Sequence, residues 1–130
     1  LPVPISVKFR LGWDMNSMNY VDFGKRLEDA GASMVTLHAR TRSQGYAPGC
    51  KWEAFGELKQ ALGIPVLANG DITTAAEAKH IMQTYGIDGV MVGRAALGTP
   101  WLIGELHQAL TTGVTPEPLP LATRFAVAID

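Results

Sequence analysis

Cysteine is almost absent from this chain. Cys50 is the single one in 130 residues, so no internal disulfide can form and a reducing compartment is expected. An excess of either charge is also lacking: 11 Lys and Arg stand against 12 Asp and Glu, a formal net charge of -1. No bulk field therefore draws the chain toward nucleic acid, although a local basic patch stays open. No apolar run reaches the roughly twenty residues that span a bilayer. No basic stretch followed by a short apolar core marks a secretory leader. A soluble, cytoplasmic protein with no membrane partner is expected. His38, His80 and His107 lack the spacing of a metal site, and the last two fall within helix patterns, so no metal is expected.

Strands and helices alternate along the chain. Pro4 to Arg10 alternates, with Ile5, Val7 and Phe9 opposed to Ser6, Lys8 and Arg10, which is the period of a strand. Tyr20 to Ala30 predicts a helix with Asn19 as N-cap, Phe23, Leu27 and Ala30 on one face, and Gly31 as its end. Met34 to His38 is a second strand. Trp52 to Leu62 is a second helix, with Trp52, Phe55, Leu58 and Leu62 at helical spacing. Val66 to Ala68 is a third strand. Thr74 and Glu77 fit a capping box before a helix that aligns Ala78, Ile81, Met82 and Tyr85. Asp88 to Val92 is a fourth strand. Thr99, with Pro100 in the first turn, predicts the cap of a further helix striped by Leu102, Ile103, Leu106 and Leu110 and stopped by Gly113. Thr115 to Pro120 reads as a linker.

This order is that of βαβ units on a parallel sheet, and the expected fold is an α/β (β/α)8 TIM barrel of which the chain supplies about four units. An open doubly wound sheet competes. Polar residues at every strand end and two consecutive phosphate-type turns favour the barrel, because a switch-point site usually uses one glycine-rich turn. Leu1 stands where a methionine would start a chain, and Leu121 to Asp130 reads as a helix barely begun. A fragment is therefore expected, with residues 1–113 as the C-terminal half-barrel and 114–130 as a linker and the start of a helical domain.

The strand ends hold the candidate chemistry. Lys8 and Arg10 share one face of their strand, and so do His38 and Arg40. Asn69-Gly70-Asp71 and Gly93-Arg94 each close an apolar run with a tight turn before a helix pattern, where free N–H donors and close backbone approach suit a phosphate. Plainer readings stand beside these. A strand-end lysine is commonly solvated, though Lys8 lies between Val7 and Phe9. A lone His38 is more often structural than a ligand, although its place parallel to Lys8 favours function. Asp71 can simply cap a helix. Arg94 at a helix start opposes the helix dipole unless an anion is bound. Cys50 lies in a loop with no histidine nearby in sequence, which suits a free surface or half-buried thiol better than a nucleophile.

These residues carry a resemblance. Lys8-Phe9-Arg10-Leu11-Gly12-Trp13, His38-Ala39-Arg40-Thr41-Arg42, Gln44-Gly45-Tyr46, Ala68-Asn69-Gly70-Asp71-Ile72 and Gly93 through Trp101 together resemble the tRNA-dihydrouridine synthase family, in order and in spacing, from about Pro4 to Pro120. The resemblance implies an FMN-containing barrel followed by a helical domain. It implies an oxidoreductase in which NADPH reduces the flavin and the flavin reduces a uridine of tRNA to dihydrouridine. By the same resemblance Lys8 and His38 contact the flavin ring, and Asn69, Gly70, Asp71, Gly93 and Arg94 hold the FMN phosphate. Arg40 and Arg42 match basic positions facing RNA. The family's catalytic cysteine belongs to an Asn-x-Gly-Cys-Pro stretch on the strand before Lys8. That stretch is not in this sequence, and Cys50 is in the wrong context to replace it. The expectation is half a cofactor site, inactive alone, with the N-terminal half-barrel and the C-terminal helical domain supplied by the parent protein. An FMN barrel acting on a small metabolite, resembling dihydroorotate dehydrogenase, is the alternative, with a flavin-free phosphate barrel behind it.

Overall fold

The structure, a computed structural model, describes residues 3–129. Four parallel strands, β1 (Ser6–Arg10), β2 (Met34–His38), β3 (Val66–Asn69) and β4 (Gly89–Met91), form one sheet in the order β1-β2-β3-β4. The helices α1 (Tyr20–Asp29), α2 (Glu53–Ala61) and α3 (Ala75–Tyr85) connect them, and α4 (Leu102–Thr112) and α5 (Leu121–Ile129) follow. Successive helices pack on one another along the sheet. Strictly sequential strand order with neighbouring crossover helices is the arrangement of consecutive units of a (β/α)8 barrel; a doubly wound sheet reverses its order partway across. Asp130 lies outside the described residues, as do Leu1 and Pro2.

Strand periodicity divides the sheet into two faces. Val35, Leu37, Val66 and Ala68 alternate toward the helices and are fully buried with Phe55, Leu58, Ala78 and Ile81. The register pairs Lys8 with Thr36, Arg10 with His38, His38 with Asn69, and Asn69 with Met91. Those residues therefore share the opposite face. The same alternation that builds the core thus lines up the polar strand ends.

Local signals explain most boundaries. Thr74 accepts from Glu77 N–H while the Glu77 carboxylate accepts from the Thr74 backbone, so both halves of the capping box form. Gly86 and Gly113 end α3 and α4 in the left-handed conformation, as the loss of a Cβ permits. The strand expected from Asp88 starts at Gly89, because the Asp88 carboxylate instead accepts Val66 N–H at 2.8 Å and pairs with Lys59 at 2.8 Å.

Three helix expectations are corrected. The buried line of α1 is Tyr20 and Gly24, with Leu27 partly covered, whereas Phe23 is 39% exposed and pairs edge-to-face with Phe9. Gly24 sets this face: a Cβ there would lie 2.7 Å from Leu58 Cδ1, so α1 and α2 meet at the glycine. Asn19 does occupy the N-cap of α1, as its position predicts, though its side chain makes no cap bond. Thr99 does not cap α4, since its hydroxyl donates back to the Ala95 carbonyl and the helix begins at Leu102. Ile103, expected in the apolar stripe, instead points outward and is 51% exposed, while Leu106 and Ala109 are buried. Among the described residues no helix is long and apolar enough to cross a membrane.

Candidate functional site

The carboxyl ends of all four strands border one cleft of about 530 Å³. Lys8 and Arg10 come from β1, His38 and Arg40 from the end of β2, Asn69, Gly70 and Asp71 from the tip of β3, and Gly93 and Arg94 from the turn after β4. Sequence reasoning placed seven cofactor candidates in these positions, and the fold brings all seven to this cleft.

The tips of β3 and β4 are tied together directly. Asn69 donates its side-chain amide to the Met91 carbonyl at 2.8 Å. Arg94 reaches across to Asp71, 3.4 Å between Nη2 and Oδ1. Asp71 has a positive φ of 53°, uncommon for a residue with a Cβ. The carboxylate that this conformation aims back at β2 meets Arg40 Nη2 at 2.5 Å. The hydrogen bond from Arg40 holds the Asp71 carboxyl below its ordinary range, so it is ionised at neutral pH.

Arg40 sits under the cleft, 1% exposed. Its Nε donates to the Ala47 carbonyl at 2.8 Å, and its Nη1 lies 3.3 Å from His38 Nε2. The resemblance matches Arg40 to an RNA-facing position; here the loop through Ala47 and the tip at Asp71 cover its guanidinium. Arg42, in contrast, lies over the indole ring of Trp13 at 5.8 Å, and that ring is 66% exposed. Backbone bonds from Arg42 N–H to Gly12 and from Ser43 N–H to Trp13 hold this pair at the strand ends.

Lys8 has its pKa lowered, chiefly by burial and further by the neighbouring Arg10 cation. Burial also lowers His38, to about 4, with Arg10, Lys8 and Arg40 adding to the effect and Asp71 opposing it. His38 is consequently neutral at physiological pH. Four cations, Lys8, Arg10, Arg40 and Arg94, face a single carboxylate, Asp71, so the cleft attracts anions.

Two parts of the phosphate argument change. Thr73 and Thr74 N–H groups both donate to the Glu77 carboxylate and Glu77 N–H to Thr74 Oγ1, so a carboxylate and internal bonds already occupy part of the start of α3. After Gly93 there is only the three-residue 3-10 turn Arg94–Ala96, not an α-helix, and the expected conflict of Arg94 with a helix dipole does not arise. The anion-receptive groups are the arginine side chains and the open tip itself. A Cβ built at Gly93 meets nothing within 4 Å; internal packing does not demand this glycine, which leaves the tip open to close approach.

Sequence reasoning placed Arg10 beside Lys8 at the strand end and gave no site role to two further contributors, Tyr46 and Trp52. Arg10 donates to the Thr41 and Gly45 carbonyls at 2.9 and 3.1 Å, bracing the loop that carries Tyr46. Tyr46 lines the cleft and stacks on Arg94, 4.9 Å from guanidinium carbon to ring centroid. Trp52 donates its indole N–H to the Gly70 carbonyl at 3.1 Å. The same-face spacing with Lys8 signalled Arg10; the Tyr46 and Trp52 contacts join segments distant in sequence. Cys50 is half-buried behind Gly70 and does not line the cleft. Burial pushes its thiol up to about 11, far from a reactive thiolate.

Sequential β/α units whose strand ends surround one anion-receptive cleft define a segment of a ligand-binding (β/α)8 barrel. A family model described as "Dihydrouridine synthase (Dus)" matches residues 1–130, and the chain belongs to that family. It is 50% identical over 111 residues to "Probable tRNA-dihydrouridine synthase 1" of Synechocystis sp., covering 85% of this chain and 31% of the relative. It is 46% identical over 111 residues to "Probable tRNA-dihydrouridine synthase" of Rickettsia conorii, covering 85% and 34%. It is 41% identical over 111 residues to "tRNA-dihydrouridine synthase B" of Pseudomonas putida, covering 85% and 33%. The chain thus spans about a third of the length of these relatives.

Proposed function

We propose that residues 1–113 are the C-terminal half of the FMN-binding barrel of a tRNA-dihydrouridine synthase, and that 114–130 are a linker and the start of a helical domain. On this reading the whole protein is a cytoplasmic oxidoreductase that reduces uridine in tRNA to 5,6-dihydrouridine, with NADPH as reductant. The single observation that carries the reading is the joining of Asp71 and Arg94 across the β3 and β4 tips, in the cleft that also holds Lys8 and His38.

The residues present fit FMN. The cleft of about 530 Å³ is within the range of small-molecule sites, roughly 300–1,000 Å³. Arg94, exposed beside an open glycine tip, suits a terminal phosphate. Lys8 and neutral His38 suit an electron-rich ring whose reduced form carries negative charge. When bound, FMN supplies the hydride for the C5–C6 double bond of the uridine. Lys8 stabilises negative charge through its ammonium. Asn69, Gly70, Asp71, Gly93 and Arg94 hold the phosphate end, with Asp71 orienting Arg94. Arg42 with Trp13 offers a cation and an aromatic face, the pair of surfaces that unstacked bases and phosphates use.

No proton donor for the uracil carbon is assigned within this chain. Cys50 does not line the cleft, and the resemblance assigns that role to a cysteine N-terminal of Leu1. The test uses the full-length protein, incubated with FMN, NADPH and unmodified tRNA. The expected result is flavin absorbance in the purified protein and dihydrouridine in the RNA. A colourless protein that takes up no added FMN contradicts the reading.

A further inference from the structure

We propose that Arg40 is a positioning residue of this cleft: its buried guanidinium fixes His38 as the neutral tautomer protonated on Nδ1, presetting one N–H donor for the ligand. The identity of that ligand as a flavin rests on the function proposed above; the tautomer does not.

A guanidinium has five N–H groups and no lone pair to offer. At the 3.3 Å contact between Arg40 Nη1 and His38 Nε2, the imidazole nitrogen can therefore only accept. A neutral ring that accepts at Nε2 carries its proton on Nδ1. A proton on Nε2 would oppose N–H to N–H. Among the described residues no hydrogen-bond partner occupies Nδ1, and His38 lines the cleft.

Arg40 cannot easily turn away. Its three nitrogens each meet a different segment: Nε the Ala47 carbonyl, Nη1 His38, and Nη2 Asp71 on the β3 tip. Rotation would break all three contacts and strand the buried guanidinium charge. Gly70 lies against the same Cδ2–Nε2 edge of the ring, where an added Cβ would come within 3.0 Å of Cδ2 and 3.5 Å of Nε2. Lys8 and Arg10 from β1, Arg40 from the end of β2 and Asp71 from the β3 tip are the charged groups that act on the ring. Cations outnumber the anion, which favours neutral imidazole. His38 then serves as a hydrogen-bond donor of fixed direction, not as an acid that gives up its proton at neutral pH.

The test is 15N-histidine labelling of the full-length protein without ligand, with His38→Gln to assign its signals in two-bond 1H–15N spectra. The expected wild-type spectrum shows Nδ1 protonated and Nε2 unprotonated, constant from about pH 6 to 8. Arg40→Met removes the donor, and the ring is expected to lose this preference and titrate nearer to its ordinary value. Asp71→Asn leaves the Arg40 donors in place and is expected to keep the tautomer. A wild-type ring protonated on Nε2 overturns the proposal, as does a folded Arg40→Met with an unchanged tautomer. Should Arg40→Met not fold, the wild-type spectrum and Asp71→Asn decide alone. Quenching of FMN fluorescence is followed separately. Correct tautomer without FMN binding overturns the cofactor reading only; FMN binding with Nε2 protonated overturns the Arg40 proposal only.

Discussion

Asp71 Oδ2 lies 2.5 Å from Arg40 Nη2 and joins the tip of β3 to a buried cation at the end of β2. The arginine is 1% exposed and the aspartate 37%, so the two partners are not equivalent. Removing the carboxylate strands the buried charge. Asp71→Ala is expected to cost about 1–3 kcal/mol in urea denaturation, below the value for a fully buried pair because water can reach the vacated position. Asp71→Asn, which keeps an acceptor, should cost less. The Asp71 pKa is lowered in the fold, so its contribution is present above the unfolded value and lost as pH falls through the folded one. The stability gap between wild type and Asp71→Asn should therefore close on acidification below about pH 4. An equal gap at pH 7 and pH 3 would refute this.

His38 titrates in the opposite chemical sense but with the same direction of stability. Its folded pKa falls from 6.5 to about 4. Between those values the unfolded chain binds a proton that the folded chain refuses, so stability rises with pH across that window and levels off on either side. The full shift corresponds to about 3–4 kcal/mol. Replacing the ring by His38→Gln should flatten the profile between about pH 4 and 6.5, as read from denaturation midpoints at a series of pH values. A slope of unchanged steepness in the variant would place the titrating group elsewhere.

Gly70 is required twice over. Its φ is +123°, and an added Cβ would lie 2.6 Å from Cys50 Sγ. Gly70→Ala is expected to destabilise by roughly 1–3 kcal/mol from backbone strain, with the sulfur clash added. Cys50→Ala in the same chain should recover the clash and leave the strain, giving partial rescue in a double-mutant cycle. Complete additivity would show that the sulfur has room to move.

Much of the fold was legible from periodicity. The alternation of Ser6, Lys8 and Arg10 with Val7 and Phe9, and the Thr74–Glu77 capping box, are local patterns that local physics obeys. The helix faces were less so. Nothing next to Phe23 or Ile103 in sequence tells that Gly24 marks the closest approach of α1 and α2, or that Thr99 bonds backward. The site divides in the same way. Asn69 and Arg94 could be found because each ends an apolar run. The burial of Arg40 could not, because it depends on Ala47 folding back from the loop and on Asp71 crossing from another strand. The stacking of Tyr46 on Arg94 joins two loops that the chain separates by a whole βαβ unit.

The central claim is that the tips bearing Asn69 to Asp71 and Gly93-Arg94 hold a terminal phosphate, and the comparison of FMN with riboflavin, which differ by that phosphate, tests it most directly. Equilibrium binding is measured by flavin fluorescence on the full-length protein, on Arg94→Ala, and on Lys79→Ala as a remote charge control on α3. A charge-assisted phosphate contact contributes about 1.5–3 kcal/mol. Wild type and Lys79→Ala are expected to prefer FMN over riboflavin, and Arg94→Ala to weaken FMN binding roughly 10- to 100-fold while leaving riboflavin binding nearly unchanged. Equal affinity of the wild-type protein for the two flavins, or an Arg94→Ala variant that binds FMN as tightly as wild type, would contradict the account.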